Sequence, residues 1–157
     1  MAIMQPHGPL LKLHQFRNDG GAAVFRGDLV EMDVDGKISA AEATDTQLYG
    51  VSLTYVAAST TTNVPVACDP DQWFEGDQDG TVAVVNIGSN MDHAVGSGGS
   101  TTTGNSTHVI DTSDVKSATA GLRIIDQVRQ PNTTDPANPT IFIINEHAFK
   151  TTTGLHE

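Results

Sequence analysis

Residues 31–41 read EMDVDGKISAA. Two short runs with apolar residues at alternate positions flank Asp35-Gly36. An Asp-Gly pair supplies the backbone conformation with φ > 0 that a tight hairpin turn needs, so the segment reads as strand, turn, strand. The upstream strand draws on Leu29, Val30, Met32 and Val34, and the downstream one on Ile38 and Ala40.

The same pattern continues outward. Ala23-Val24-Phe25 is a short apolar run behind the turn signal Asn18-Asp19-Gly20-Gly21. Residues 47–57, QLYGVSLTYVA, read as one strand, with Gly50 marking a bulge or a close backbone approach. Val64–Ala67 and Trp73-Phe74-Glu75 read as strands around an Asp69-Pro70-Asp71 turn. TVAVVNI (81–87), GLRIIDQV (121–128) and TIFIIN (140–145) are three more. Gly96–Gly104 reads as a flexible surface loop. The three prolines between 131 and 139 exclude regular structure there. Apolar residues nowhere repeat at helical spacing over a dozen positions. The expected fold is therefore all-β: one β-sandwich or β-barrel-like domain over 18–157, with an extended N-terminal arm over 1–17.

Composition narrows the function. The net charge is −11, with −8 carried by residues 1–80 and −3 by 81–157. That argues against nucleic acid or an anionic membrane as partner, since both require a positive face. The N-terminus lacks the charged and apolar regions of a signal peptide, and no run approaches the length of a membrane helix. The chain thus reads as soluble and made in a reducing cytoplasm. Cys68, the one cysteine, follows an apolar run and reads as a buried, inert thiol.

Residues 64–80, VPVACDPDQWFEGDQDG, hold that cysteine, the one tryptophan and five carboxylates: Asp69, Asp71, Glu75, Asp77 and Asp79. Counted from Glu75, they match the first half of a calcium-binding loop, but the last ligand position is Asn86 and no flanking helix is expected. A solvated acidic turn is the favoured reading, with Trp73 or Phe74 buried and Asp77 and Asp79 facing solvent or a basic partner. A metal-dependent hydrolase built on this cluster is the remote alternative.

His7, His14, His93, His108, His147 and His156 show no metal-ligand spacing. Asp92-His93 and Glu146-His147 are adjacent pairs that a strand would point to opposite faces. Arg26-Gly27-Asp28 matches a cell-attachment tripeptide and reads as coincidence, and the Asn105 and Asn132 glycan-acceptor patterns carry little without a secretory signal. No nucleophile elbow or phosphate-binding glycine loop occurs. No catalytic residue, cofactor or metal is assigned.

GDLVEMDVDGKISAA (27–41), LYGVSLTYV (48–56), the long stretch from Val64 to Thr107, and the closing GLRIIDQVRQPN and TIFIINEHAFK together resemble capsid decoration, or cement, proteins of tailed bacteriophages. The likeness spans about residues 24–150. It implies a non-enzymatic virion protein on the head exterior, often a trimer, that ties major capsid subunits together. Leu10, Leu11, Leu13 and Phe16 on the arm are the expected capsid contacts. The competing reading puts these four in the domain's own core. A second functional reading is a carbohydrate- or host-binding head protein, using the loops at 96–104 and 131–139 with Trp73, Tyr49 and Tyr55 as candidate ring platforms.

Overall fold

Leu29–Met32 (β3) and Ile38–Ala40 (β4) pair antiparallel, with Met32 opposite Ile38, as the Asp-Gly signal requires. The loop is Val34-Asp35-Gly36. The Asp33 amide donates to the Lys37 carbonyl (2.7 Å), the Gly36 amide to the Asp33 carbonyl (3.0 Å), and Gly36 takes φ +79°. This is the three-residue hairpin that ends in a left-handed glycine.

The computed structural model describes residues 3–43, 45, 47–116, 120–129 and 138–150. The hairpin continues into a five-stranded sheet with Gly50–Ser52 (β5), Asn63–Ala67 (β6) and Leu13–Arg17 (β2), in the order β2-β6-β5-β3-β4. A six-stranded sheet is built from Gln5–Pro6 (β1), Trp73–Gly76 (β7), Asn90–Ala94 (β8), Val109–Lys116 (β9), Leu122–Gln127 (β10) and Thr140–Ile144 (β11). Its order is β1-β7-β11-β10-β8-β9. All strand pairs are antiparallel. Each sheet keeps two edges, so the fold is a β-sandwich rather than a closed barrel.

The strands alternate between two apolar layers. Leu29, Val51 and Ala67 of the five-stranded sheet join Phe74, Met91, Ile110, Leu122, Ile124, Phe142 and Ile144 of the other in the core between the sheets. Their neighbours Val30 and Val66 point the other way, as alternate strand residues must. With Val24, Ile38, Tyr49, Val56, Val64 and Cys68 they form a second cluster, which Phe16, Met32 and Ala148 cover. Strands β3, β5 and β6 of the five-stranded sheet thus carry apolar residues on both faces, whereas β2 at its edge is mostly exposed. Cys68 lies within this cluster, 1% exposed, and burial raises its thiol pKa, as expected of an inert thiol.

Gly50 meets its expectation of close approach: a Cβ there would sit 2.0 Å from the Ala67 carbonyl oxygen. Other assignments change. Residues 47–57 give only the three-residue β5, with single bridges from Leu48 to His147 and Val56 to Val24 on either side. The expected strand at 81–87 is instead a 3₁₀ turn, Val84–Asn86. Its amides bond locally, Asn86 to Ala83 and Ile87 to Val84, while Val84 and Val85 stay exposed. Only Val82 of that run is buried, so no sheet face rewards an extended conformation. Strands β8 and β9 were not anticipated.

Residues 3–17, read as an extended arm over 1–17, lie along the body as two strands separated by a bend at 7–9, where Gly8 takes φ +76°. β1 adds to one sheet through Gln5–Glu75 and Pro6–Phe74 pairs, and β2 adds to the other through pairs running from Leu13–Ala67 to Arg17–Asn63. Among the described residues no helix is long and apolar enough to cross a membrane.

Candidate functional site, an apolar ledge on the N-terminal segment

The four arm residues separate. Leu10, Leu11 and Leu13 are each 44–54% exposed. Phe16 is half-buried and belongs to the second core cluster, where its ring meets Tyr49 edge-on at 5.7 Å and His14 at 4.6 Å. Phe16 thus packs against the domain's own core, whereas the three leucines stand at the surface.

A buried glutamine creates this arrangement. Gln72 is 1% exposed at the entrance to β7. Its Oε1 accepts the Leu11 amide (2.8 Å), and its Nε2 donates to the carbonyls of Trp73 (2.8 Å) and Pro9 (3.3 Å). The His7 amide donates to the Trp73 carbonyl (2.8 Å). Glu75 takes Gln5 Nε2 on one oxygen (2.8 Å) and His7 Nδ1 on the other (2.7 Å). Burial alone would raise the Glu75 pKa, but those two partners outweigh it and hold the carboxyl below its usual range. Residues 7–11 thus form a strap clasped to the body, with the Leu10 and Leu11 side chains outward. Beneath it Trp73, 46% exposed, and Leu11 border a cavity of ≈ 360 Å³ that His7 and Asp71 also line. The expectation that Trp73 or Phe74 is buried is met by Phe74, which is fully buried and stacked on Phe142 with centroids 5.7 Å apart.

Gln72→Ala leaves the Leu11 amide and the Pro9 and Trp73 carbonyls without their partner. The expected loss is about 1–3 kcal/mol of stability, read from urea midpoints, together with faster hydrogen exchange at the Leu11 amide. An unchanged exchange rate there would contradict the clasp.

The acidic cluster does not converge. Asp69 accepts the Asp71 amide within its own turn (2.8 Å), Asp71 pairs with Lys150 (2.9 Å), and Asp79 accepts the amide and hydroxyl of Thr112 (both 2.8 Å). Asp79 is exposed as expected. Asp77 is not; it is 9% exposed, carried inward where the Ile110 amide donates to its carbonyl. A different set draws together, as one oxygen each from Asp19, Asp33 and Asp35 lie within 4.8 Å of one another. Lys37 Nζ already sits 2.5 Å from Asp35 and supplies positive charge there. The Asp92-His93 pair is split as expected: Asp92 bonds Lys116, whereas His93 stacks on His108 at 5.5 Å.

That histidine pair belongs to a buried polar seam that sequence reasoning missed. Asp28 enters the five-stranded sheet and His108 enters β9 of the other. His108 Nδ1 accepts the Leu29 amide (3.2 Å), which leaves the proton on Nε2, 3.5 Å from Asp28 Oδ1. Asp28 Oδ2 accepts the Phe25 amide (2.7 Å), and Ser106 bonds its carboxyl as well. Asp28 is 2% exposed, so the Arg26-Gly27-Asp28 tripeptide does not present its carboxylate to a receptor. Histidines 15 residues apart carry no periodic signal, because the contact depends on where β8 and β9 fall in the sheet.

The glycine-rich loop is held. Gly99 lies against the Phe25 ring so closely that a Cβ would come within 2.1 Å of Cγ, and Gly104 packs on Tyr55, which stacks on Phe25 at 5.2 Å. The Gly104 amide donates to the Ser100 carbonyl (2.7 Å). Tyr49 is buried and Tyr55 half-buried, so Trp73 is the exposed ring of the three proposed platforms. Residues 131–137 of the second proposed loop lie outside the described residues, as do Asn132 and His156. No protein-family model and no curated protein matches the chain.

Proposed function

We propose that the chain is a non-enzymatic virion structural protein of the capsid decoration type. It binds the exterior of a phage head, as a trimer, and cross-bridges major capsid subunits. The observation that carries this reading is the clasped apolar ledge. Leu10, Leu11, Leu13 and Trp73 present large apolar groups to solvent, and exposed patches of this kind mark interaction surfaces. Burying them on a partner is favourable at about 25 cal/mol per Å² of apolar area. The strap is ordered by Gln72 before any partner arrives, so little further ordering entropy opposes docking. A net charge of −11 suits a partner with basic groups around an apolar patch. Repetition over a symmetric shell multiplies a modest affinity per copy.

The test is addition of purified protein to heads that lack it, followed by heating and measurement of retained DNA. Leu11→Asp and Trp73→Ala are each expected to weaken shell binding about ten-fold or more, the scale of a central apolar anchor, with little change in the protein's own unfolding midpoint. Equal DNA retention with and without the protein would overturn the stabilising role.

A second reading rests on the same tryptophan. Its exposed ring borders a cavity that Asp71 and His7 also line, an arrangement suited to a sugar ring. Glycan-array binding that Trp73→Ala abolishes and Leu13→Ser leaves intact would favour carbohydrate recognition over capsid docking.

A further inference from the structure

The Arg26-Gly27-Asp28 segment does something other than its tripeptide reading. Asp28 points into the core, and Gly27, at φ +94°, lies so close beneath the N-terminal segment that a Cβ would come within 2.9 Å of Ile3. Arg26 is left at the surface, beside a cavity of ≈ 350 Å³ at the outer side of the edge strand β1. Backbone bonds fix its position from both sides: its amide donates to the Gly104 carbonyl (2.9 Å), and the Ser106 amide donates to its own carbonyl (2.9 Å).

Arg26 Nη2 donates to Asn105 Oδ1 (2.9 Å), and no carboxylate pairs with the guanidinium among the described residues. Because Asn105 Oδ1 is engaged in that way, the carboxamide offers the cavity its NH₂ group. Arg26 and Asn105 therefore present donors, a guanidinium with most of its N–H groups open and an amide beside it; of the other polar lining residues, Gln5 gives its Nε2 to Glu75 and Ser52 its hydroxyl to the Thr54 carbonyl. Ile3, Met4, Pro6 and Leu53 supply the apolar side. A planar fork of donors matches a carboxylate. An unneutralised arginine in a chain of net charge −11 is the local exception to its field.

We propose that this cavity binds a carboxylate carried on a short branched apolar group, with Arg26 and Asn105 as the carboxylate-binding residues. Two sources share that chemistry, a free acyl-amino acid and the C-terminal residue of an extended peptide lying along β1. The site uses none of the ledge residues, so it stands independently of the capsid reading.

The experiment titrates the full chain with N-acetyl-leucine, N-acetyl-leucinamide, and a short peptide ending in leucine with a free or an amidated C-terminus. Binding is followed by amide chemical shifts and calorimetry. Saturable binding of N-acetyl-leucine, with shifts at Arg26, Leu53 and Asn105 and none for its amide, is expected. Arg26→Gln is expected to weaken it by about ten-fold or more, and Arg26→Lys by less, since the charge is kept and the fork is lost. Tighter binding of the free-terminus peptide than of N-acetyl-leucine assigns the site to chain termini; equal binding assigns it to the small acid. Arg26 is exposed, so the variants are expected to keep the parent unfolding midpoint. Equal affinity for acid and amide, undiminished binding by Arg26→Gln, or no saturable shift with any of the four probes would overturn the proposal.

Discussion

Gly50→Ala is expected to abolish the native fold. Gly50 opens β5, the central strand of the five-stranded sheet, with φ +153°. An added Cβ would lie 2.0 Å from the Ala67 carbonyl oxygen, 2.9 Å from its carbonyl carbon and 2.8 Å from Val66 Cγ1. Two of those atoms are backbone of the paired strand β6, so no rotamer change relieves the contact. β5 and β6 must part at the Val51–Ala67 pair, which takes Val51 and Ala67 out of the core between the sheets. We expect a loss above about 4 kcal/mol, against a typical total of about 5–15 kcal/mol for a domain. Gly36→Ala is the control: its φ is +79°, but nothing lies within 4 Å, so only backbone strain of about 1–2 kcal/mol is expected. Urea unfolding separates the two. A cooperative transition for Gly50→Ala within about 1 kcal/mol of the parent would refute the clash.

Acid is expected to destabilise the sandwich at pH values above the range where carboxylates ordinarily titrate. His93, His108 and His147 are buried, and their pKa values fall from 6.5 to about 4. Burial is the main cause for each; the neighbouring His108 adds to it at His93, and Lys150 at His147, while Asp45 and Asp92 oppose it at His93 and Asp69 at His147. A base with a depressed folded pKa stabilises the native state above its unfolded value, and that contribution is lost as pH falls from 6.5 towards 4. Asp28 works in the opposite direction. Burial raises its pKa to about 6, so the folded state takes up its proton first and gains stability as pH falls through 6. Glu31, half-buried and raised to about 7 by burial and by Asp45, also opposes the loss, though solvent reaches it and screens its share. The unfolded chain therefore binds one to two more protons between pH 6 and 4.5. At about 1.4 kcal/mol per proton per pH unit, the expected loss is about 2–4 kcal/mol across that window. Urea midpoints measured from pH 7 to 4.5 test this, and His93→Phe should flatten the slope by nearly one proton. A profile level across the window would remove the seam as the origin of acid sensitivity.

What the sequence disclosed follows from how local each signal is. The β3–β4 hairpin was legible because Asp35-Gly36 carries its own turn geometry. Gly50, Cys68 and the strands at 63–67, 122–127 and 140–144 were legible because glycine and β-branched runs have few alternative uses. The run at 81–87 misled for the same reason: it is rich in valine, but no neighbouring strand is there to pair with. β8 reads NMDHA and carries few apolar residues, because its buried polar groups find Lys116, Arg123 and His108 on distant segments. The ledge was half legible. That Leu10, Leu11 and Leu13 need covering is apparent from their type; that Phe16 turns inward and Trp73 outward depends on register with β6 and β11, where their partners Val64 and Ile143 are 48 and 70 positions away.

The path of residues 3–17 also constrains when the protein folds. Gln5 bonds Glu75, 70 residues later, and Leu13 faces Ala67 in a strand that itself needs β5. β7 in turn is flanked on its other side by β11, the last strand of the sandwich. At a synthesis rate of about 5–20 residues per second, residues 3–17 wait several seconds for their partners, and the six-stranded sheet is completed only when β11 has been made. The five-stranded sheet has all its strands once residue 67 is made, whereas the six-stranded sheet waits for β11. Completion of the sandwich is then late and dominated by distant pairings, on the millisecond-to-second scale of such topologies. Leu10, Leu11 and Leu13 are uncovered in that interval and stay exposed after it, open to association throughout.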